Sequence, residues 1–268
     1  MNIFPTSTHL VKVRYWPLVG SITGLGLTRR AVYWWHGGPS IWFTFKFLFL
    51  LLVMISWWSD IFLENKLGYH TGSVLNLLRF GMIMFILSEI MFFFSFFWAY
   101  FHSCLGPATN HGLVWPPVEF NRVVVDSFSI PLLNTLLLVS SGARVTWTHA
   151  SLIVREKYEF HIVSSLVITI LLGFLFLLLQ GFEYANSLFA LNSMTYGSCF
   201  FLLTGFHGLH VTVGAIMLRV CLFHILTDYW YNNEDMVGFE CARWYWHFVD
   251  VVWLFLFIFV YLLFGGSN

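Results

Sequence analysis

The sequence predicts an all-α integral membrane protein with seven spanning helices, and three observations carry the prediction. The chain of 268 residues is 59% hydrophobic and 10% charged, whereas a soluble domain runs at roughly 45–50% apolar and about 25% charged. Its mean hydropathy is +0.77. Six apolar runs, and a weaker seventh, approach or exceed the ~20 residues that a membrane helix needs. Thirteen basic side chains balance thirteen acidic ones. Such sparse charge cannot clothe a water-facing surface, and its balance points to neither nucleic acid nor an acidic partner.

The elements follow in order. The weak first run spans 16–35 and is interrupted by Arg29 and Arg30. The second, 40–59, holds Lys46 near enough to its end to snorkel. The third, 76–103, carries Glu89 near its middle. The longest connection, Leu105 to Ser127, contains Trp115-Pro116-Pro117, whose prolines favour an ordered extended loop. The remaining runs are 129–153, 160–183, 195–224 and 239–264. Unbroken runs of this length predict helices, because barrel strands alternate over about 10 residues. No hydrophilic stretch is long enough for a soluble domain, so residues 1–268 read as one membrane domain. Cys104, Cys199, Cys221 and Cys241 form no C-x-x-C pair and read as small buried hydrophobes.

An odd number of spans puts the termini on opposite sides. Lys12, Arg14, Lys66, Arg79, Arg155 and Lys157 fall on the N-terminal side, with Arg122, Arg29 and Arg30 opposite. The positive-inside rule then places the N-terminus in the cytoplasm or mitochondrial matrix. The N-terminal residues resemble neither a signal peptide nor a transit sequence. The expectation is therefore a gene resident in the compartment of insertion, or a first helix that acts as the signal.

Ionisable residues inside spans cost about 2.5–3.5 kcal/mol each near the bilayer centre, so each asks for a partner or a purpose. Glu89 lies among phenylalanines. It either relays a proton, meets a lipid head group, or hydrogen-bonds a neighbouring helix as a protonated carboxyl, and the sequence leaves these open. In the last span Glu240, Arg243, His247 and Asp250 step by three, four and three along one helical face. That face reads as a structural polar seam between helices in preference to a proton path. His207 and His210 share a face of the sixth span. Two histidines fall short of the three or four ligands that a metal takes, which favours inter-helix hydrogen bonding over half a metal site. Arg144 and Arg219 call for interior partners or lipid phosphates.

Phosphate-binding glycine loops, H-E-x-x-H, G-x-S-x-G, a haem-attaching Cys-x-x-Cys-His and paired broken helices are all missing from the sequence. The residues alone lead to a seven-helix membrane protein with a polar interior and no redox site of its own.

Several motifs go further. Trp57-Trp58-Ser59-Asp60, Arg79-Phe80-Gly81-Met82, Ser88-Glu89 through Phe101-His102-Ser103, and Trp115-Pro116-Pro117 occur in order. Ile130-Pro131-Leu132-Leu133-Asn134-Thr135, Ser140-Ser141-Gly142 and Leu179-Gln180-Gly181-Phe182-Glu183-Tyr184 follow. The strongest are Thr204-Gly205-Phe206-His207-Gly208-Leu209-His210-Val211 and Trp244-Tyr245-Trp246-His247-Phe248-Val249-Asp250. His9-Leu10-Val11 and Trp16-Pro17-Leu18 fit less closely. In these motifs the chain resembles subunit III of the haem–copper cytochrome c oxidases.

The resemblance implies a subunit without catalytic residues, haem or copper, packed against catalytic subunit I and other oxidase subunits that carry those cofactors. It implies helices arranged as two plus five around a V-shaped cleft filled by phospholipids. Glu89 matches the family's carbodiimide-reactive carboxylate. The lipid head-group region resembles Glu64, His70 and Arg79, with His224 matching a basic lipid contact in the sixth helix. The implied role is to sustain proton uptake and to protect the complex as it reduces oxygen with electrons from cytochrome c. Likeness to mitochondrial members implies the mitochondrial inner membrane, with the N-terminus in the matrix and the C-terminus in the intermembrane space. Arg29, Arg30, Arg144, Arg219 and Arg243 depart from the family pattern and imply altered lipids or neighbours. The rival expectations are an autonomous metal enzyme using His207, His210 and Glu240, and a stand-alone seven-helix transporter or receptor.

Overall fold

A computed structural model describes residues 13–107, 113–117, 125–154, 159–227 and 236–263. Lys12, Arg122, Arg155 and Lys157, which enter the charge balance above, lie outside these residues, as do His9-Leu10-Val11 and the C-terminal Asn268. Seven helices and no strand occur among the described residues: α1 (Trp16–Trp35), α2 (Ile41–Lys66), α3 (Gly72–Leu105), α4 (Ile130–Ile153), α5 (Glu159–Asn186), α6 (Met194–Leu226) and α7 (Val237–Leu256). The last continues as a π-helical stretch, Phe257–Leu263.

Local chemistry sets several ends. Pro17 and Pro131 occupy first-turn positions of α1 and α4, where a missing N–H costs nothing and the fixed φ suits a helix. Gly37 and Gly68, with φ of 88° and 76°, follow the ends of α1 and α2 and supply the left-handed residue that stops a helix. Within the helices, hydroxyls bond back to the preceding turn, as in Thr23 to the Val19 carbonyl at 2.6 Å and Ser95 to the Phe92 carbonyl at 2.7 Å. This satisfies each donor inside its own helix, a requirement where no water is at hand.

Among the described residues five helical stretches are long and apolar enough to cross a membrane: α2, α3, most of α5, α6 and Val237–Leu263. Arg29 and Arg30 interrupt the apolar run of α1, and α4 carries Asn134, Thr135, Ser140, Ser141, Arg144, Thr146, Thr148 and His149. Leu52, Phe45, Phe94 and Trp98 are all more than half exposed, the large apolar surface expected of a protein whose solvent is lipid.

The chain divides into two units. Unit 1, Met1–Phe80, packs α1 against α2 and includes the first turns of α3. In unit 2, Gly81–Asn268, α4, α5, α6 and α7 each pack on the next, and α7 returns to α4. This four-helix bundle holds the core of unit 2, including Leu138, Leu166, Phe176, Leu203, Trp246 and Trp253. Small residues bring its helices together. A Cβ on Gly173 would lie 2.6 Å from the Trp246 ring and one on Gly214 would lie 2.9 Å from it. The indole therefore occupies a slot cut by two glycines. The rest of α3 approaches α6 and α7 through aromatic side chains: Phe92 on Phe206 at 5.0 Å, Phe97 on Phe255 at 6.3 Å and Phe101 on Phe259 at 5.2 Å between ring centres.

Candidate functional site

The polar interior of unit 2 starts on α7. Arg243 reaches α4, its Nη1 donating to His149 Nδ1 at 3.0 Å. One turn on, His247 Nε2 lies 3.1 Å from Thr146 Oγ1 of α4, while its Nδ1 lies 3.6 Å from Asp250 Oδ2. Asp250 fits because α4 carries glycine opposite it: a Cβ on Gly142 would lie 2.3 Å from Asp250 Oδ2. Trp246, fully buried, donates from Nε1 to Ser141 Oγ at 2.9 Å, and Trp253 donates to Thr135 Oγ1 at 2.9 Å. Glu240 is half-buried in the first turn of α7. Arg243 and His247 of the α7 stripe thus meet side chains of α4, and Asp250 meets the space left by Gly142.

A second cluster joins α3 to α6. His210 Nε2 lies 2.7 Å from Glu89 Oε2, and His210 Nδ1 lies 2.6 Å from the Phe206 carbonyl. A carbonyl only accepts, so Nδ1 carries a hydrogen. The remaining contact then needs one proton, held either by an imidazolium facing a carboxylate or by a carboxylic acid facing a neutral ring. In both forms the pair is neutral overall. Phe93, Phe92, Phe248 and Tyr245 surround the imidazole at 5.0–6.2 Å between ring centres. His207, also fully buried, lies with Nε2 3.1 Å from the Val249 carbonyl and packs on Phe176 and Trp253.

A third cluster lies outside the residues that the sequence marks as candidate sites. Tyr261 OH donates to Glu183 Oε1 at 2.7 Å, and Gln180 Nε2 donates to the same oxygen at 3.2 Å. All three side chains are buried. Glu183 and Gln180 stand three apart, a spacing that already marks one face of α5, but their partner comes from the chain's last turns. The buried side chain of Asn134 has no hydrogen-bond partner for either amide atom among the described residues.

The other predicted residues lie elsewhere. Glu64 is ion-paired with Arg14, whose Nε also stands 4.0 Å from Asp60. Trp16 Nε1 donates to Asp60 Oδ2 at 2.6 Å. Arg79 donates to Asn76 Oδ1 at 3.1 Å, one turn back on α3, and His70 lies half-buried in the α2–α3 connection. These belong to unit 1. His224 is buried near the end of α6. Arg144 and Arg219 are both exposed on the outside of unit 2.

An elongated cavity of about 850 Å³ lies between α3 and α7. Ile86, Ile90 and Phe94 line one side and Val251, Val252 and Phe255 the other, with His247 as its one ionisable lining residue. Among the described residues no group of three or more His, Cys, Asp or Glu side chains is placed to hold a metal ion.

Known proteins are similar to this chain over nearly its whole length. Residues 6–265 match the family model described as cytochrome c oxidase subunit III. The chain is 47% identical over 254 residues to cytochrome c oxidase subunit 3 of Pisaster ochraceus, which covers 94% of this chain and 96% of that one. Identity to the same subunit of Myxine glutinosa is 47%, and to that of Salmo salar 46%, each over 94% of this chain and 95% of the relative.

Proposed function

This chain belongs to the cytochrome c oxidase subunit III family, and from that membership we propose that it is a non-redox core subunit of the complex that reduces oxygen with electrons from cytochrome c and pumps protons. The carrying observation is the match from residue 6 to residue 265. Its partners are catalytic subunit I, which with its neighbours holds the haem and copper, and the other oxidase subunits. Its place is the mitochondrial inner membrane, with the N-terminus in the matrix and the C-terminus in the intermembrane space.

The geometry of unit 2 supports a supporting role. His207, His210, Arg243, His247 and Asp250 all face protein groups. An inter-helix polar seam of this kind sets which faces of α3, α4, α6 and α7 meet, and so fixes the surface that unit 2 offers to a partner. Phospholipids are the proposed ligands, with head groups near Glu64, His70, Arg79 and His224. The cavity between α3 and α7 suits an acyl chain. Its lining runs from Ile83 to Phe101 on α3, roughly 27 Å at about 1.5 Å per residue, and is apolar apart from His247.

Subunit analysis of the native complex, purified in mild detergent, tests the proposal. The expected result is one copy of this chain per haem-bearing catalytic subunit. Purification of the chain apart from any haem protein would overturn it.

A further inference from the structure

Unit 1 is electrically lopsided. Its acids are Asp60 and Glu64, near the C-terminal end of α2, and both are engaged by Arg14. No acidic residue precedes Asp60 in the chain. Toward the other end of the helix pair stand three cations: Arg29 and Arg30 on α1 and Lys46 on α2.

These three share one level. Arg30 lies five residues before the last residue of α1, and Lys46 five residues after the first of α2. At about 1.5 Å per residue each sits roughly 7–8 Å from its helix end. The Lys46 stem crosses to α1, where its Cε lies 3.6 Å and its Nζ 3.9 Å from the position of a Cβ on Gly26. Gly26, Arg29 and Arg30 are spaced three and four apart and so share a face. The Arg30 guanidinium leans over Trp42 of α2 at 5.5 Å and over Tyr33 at 6.0 Å. Among the described residues none of the three cations has a carboxylate partner within 4.0 Å.

Their depth identifies what completes the cluster. Trp34, Trp35 and Trp42 are exposed at this end of unit 1, and exposed tryptophans of this kind mark the head-group level of a bilayer. The cations lie one to two turns on the hydrocarbon side of that belt, so their long side chains must snorkel outward to find charge. A partner's carboxylate would have to be buried at the same depth. Lipid phosphates already lie at the belt, and Arg guanidinium groups bind phosphate through two parallel N–H donors.

We propose that Arg29, Arg30 and Lys46 form a binding site for the phosphate of an anionic glycerophospholipid, at the opposite end of unit 1 from Glu64, His70 and Arg79. The proposal rests on reading the chain as a membrane subunit. Three cations at one level exceed the charge of a single zwitterionic head group, so the site selects net-negative lipids over phosphatidylcholine.

The test uses native mass spectrometry of the delipidated complex, titrated with dioleoylphosphatidylglycerol, dioleoylphosphatidylcholine or inorganic phosphate. Arg29→Gln/Arg30→Gln/Lys46→Gln should lose one phosphatidylglycerol site or weaken it by roughly tenfold or more, with phosphatidylcholine uptake unchanged. Inorganic phosphate should not compete, because it has no acyl chains to hold it at this depth. In the unaltered complex, a photoreactive phosphatidylglycerol should label the peptide spanning Gly26 to Lys46. Unchanged phosphatidylglycerol binding by the variant, competition by inorganic phosphate, or no labelling of that peptide would each overturn the site. So would a carbodiimide cross-link from Lys46 to a carboxylate of another subunit, which would make the partner a protein. If the variant does not assemble, the labelling and cross-linking results decide. The same spectra report subunit composition, so failure of the oxidase reading is seen separately from failure of the lipid site.

Discussion

Glu89 illustrates how a single proton organises a contact between helices. His210 commits its Nδ1 hydrogen to the Phe206 carbonyl, so its bond to Glu89 is one proton shared by two groups inside a ring of aromatic side chains. Glu89→Gln preserves size and a donor and an acceptor toward His210. The expected outcome is normal assembly and oxygen uptake within about twofold of the parent, with any loss confined to proton translocation or durability during turnover. An oxygen electrode run to inactivation measures the uptake and its durability. If an assembled Glu89→Gln complex lost nearly all turnover, Glu89 would be an obligatory proton carrier and the supporting role would fail. The slot for Trp246 is sharper still. Gly214→Val places atoms where the indole already lies, and overpacking of this kind costs about 1–3 kcal/mol. Gly181→Ala on α5 meets nothing within 4 Å and should be nearly silent. Thermal retention of the subunit in the complex separates the two.

At the scale of the element, α7 and α4 are joined by donors from one and acceptors from the other. Ser141→Ala leaves the buried Trp246 N–H without its acceptor, an omission worth about 1–3 kcal/mol. The expected result is a lower dissociation temperature for the subunit without a change in the turnover of complexes that retain it. The stripe itself was legible in the sequence, because steps of three and four define a face whatever the neighbours are. What it meets was not. Glu240 and Arg243 stand at pairing distance along α7, yet Arg243 turns to His149, ninety-four positions back. Periodicity reports which residues of one helix agree, and only packing decides which helix answers them. For the same reason Tyr261 could not be tied to Glu183, nor Glu89 to His210, before the helices were assembled. The helices, with the π-helical continuation of α7 included, follow the apolar runs, with ends that differ from them by up to seven residues. The run predicted at 16–35 coincides with α1, while α2 continues past 59 to Lys66 because charged residues such as Asp60, Glu64 and Lys66 let a helix run on toward the interface without extending its apolar run.

For the whole molecule, the distribution of polar groups couples packing to orientation. Unit 2 hides hydrogen-bonding side chains between α4 and α7 and between α3 and α6, and leaves Phe94 and Trp98 outward on α3. With so much apolar surface on its described helices, the proposed membrane subunit would take its orientation at insertion from the basic residues of its connections. The proposed seven crossings would put the two termini on opposite sides, and so would the five apolar stretches alone, since both counts are odd. On the proposed orientation, the excess of Lys and Arg on the N-terminal side would place that terminus in the matrix. Short epitope tags at Met1 and Asn268, probed with protease in sealed mitochondria and after rupture of the outer membrane alone, read the result directly. The expected pattern is cleavage of the C-terminal tag as soon as the outer membrane opens, with the N-terminal tag protected until the inner membrane is breached. Simultaneous exposure of both tags would require an even number of crossings, and one of α1 and α4, the two least apolar helices, would then lie out of the membrane.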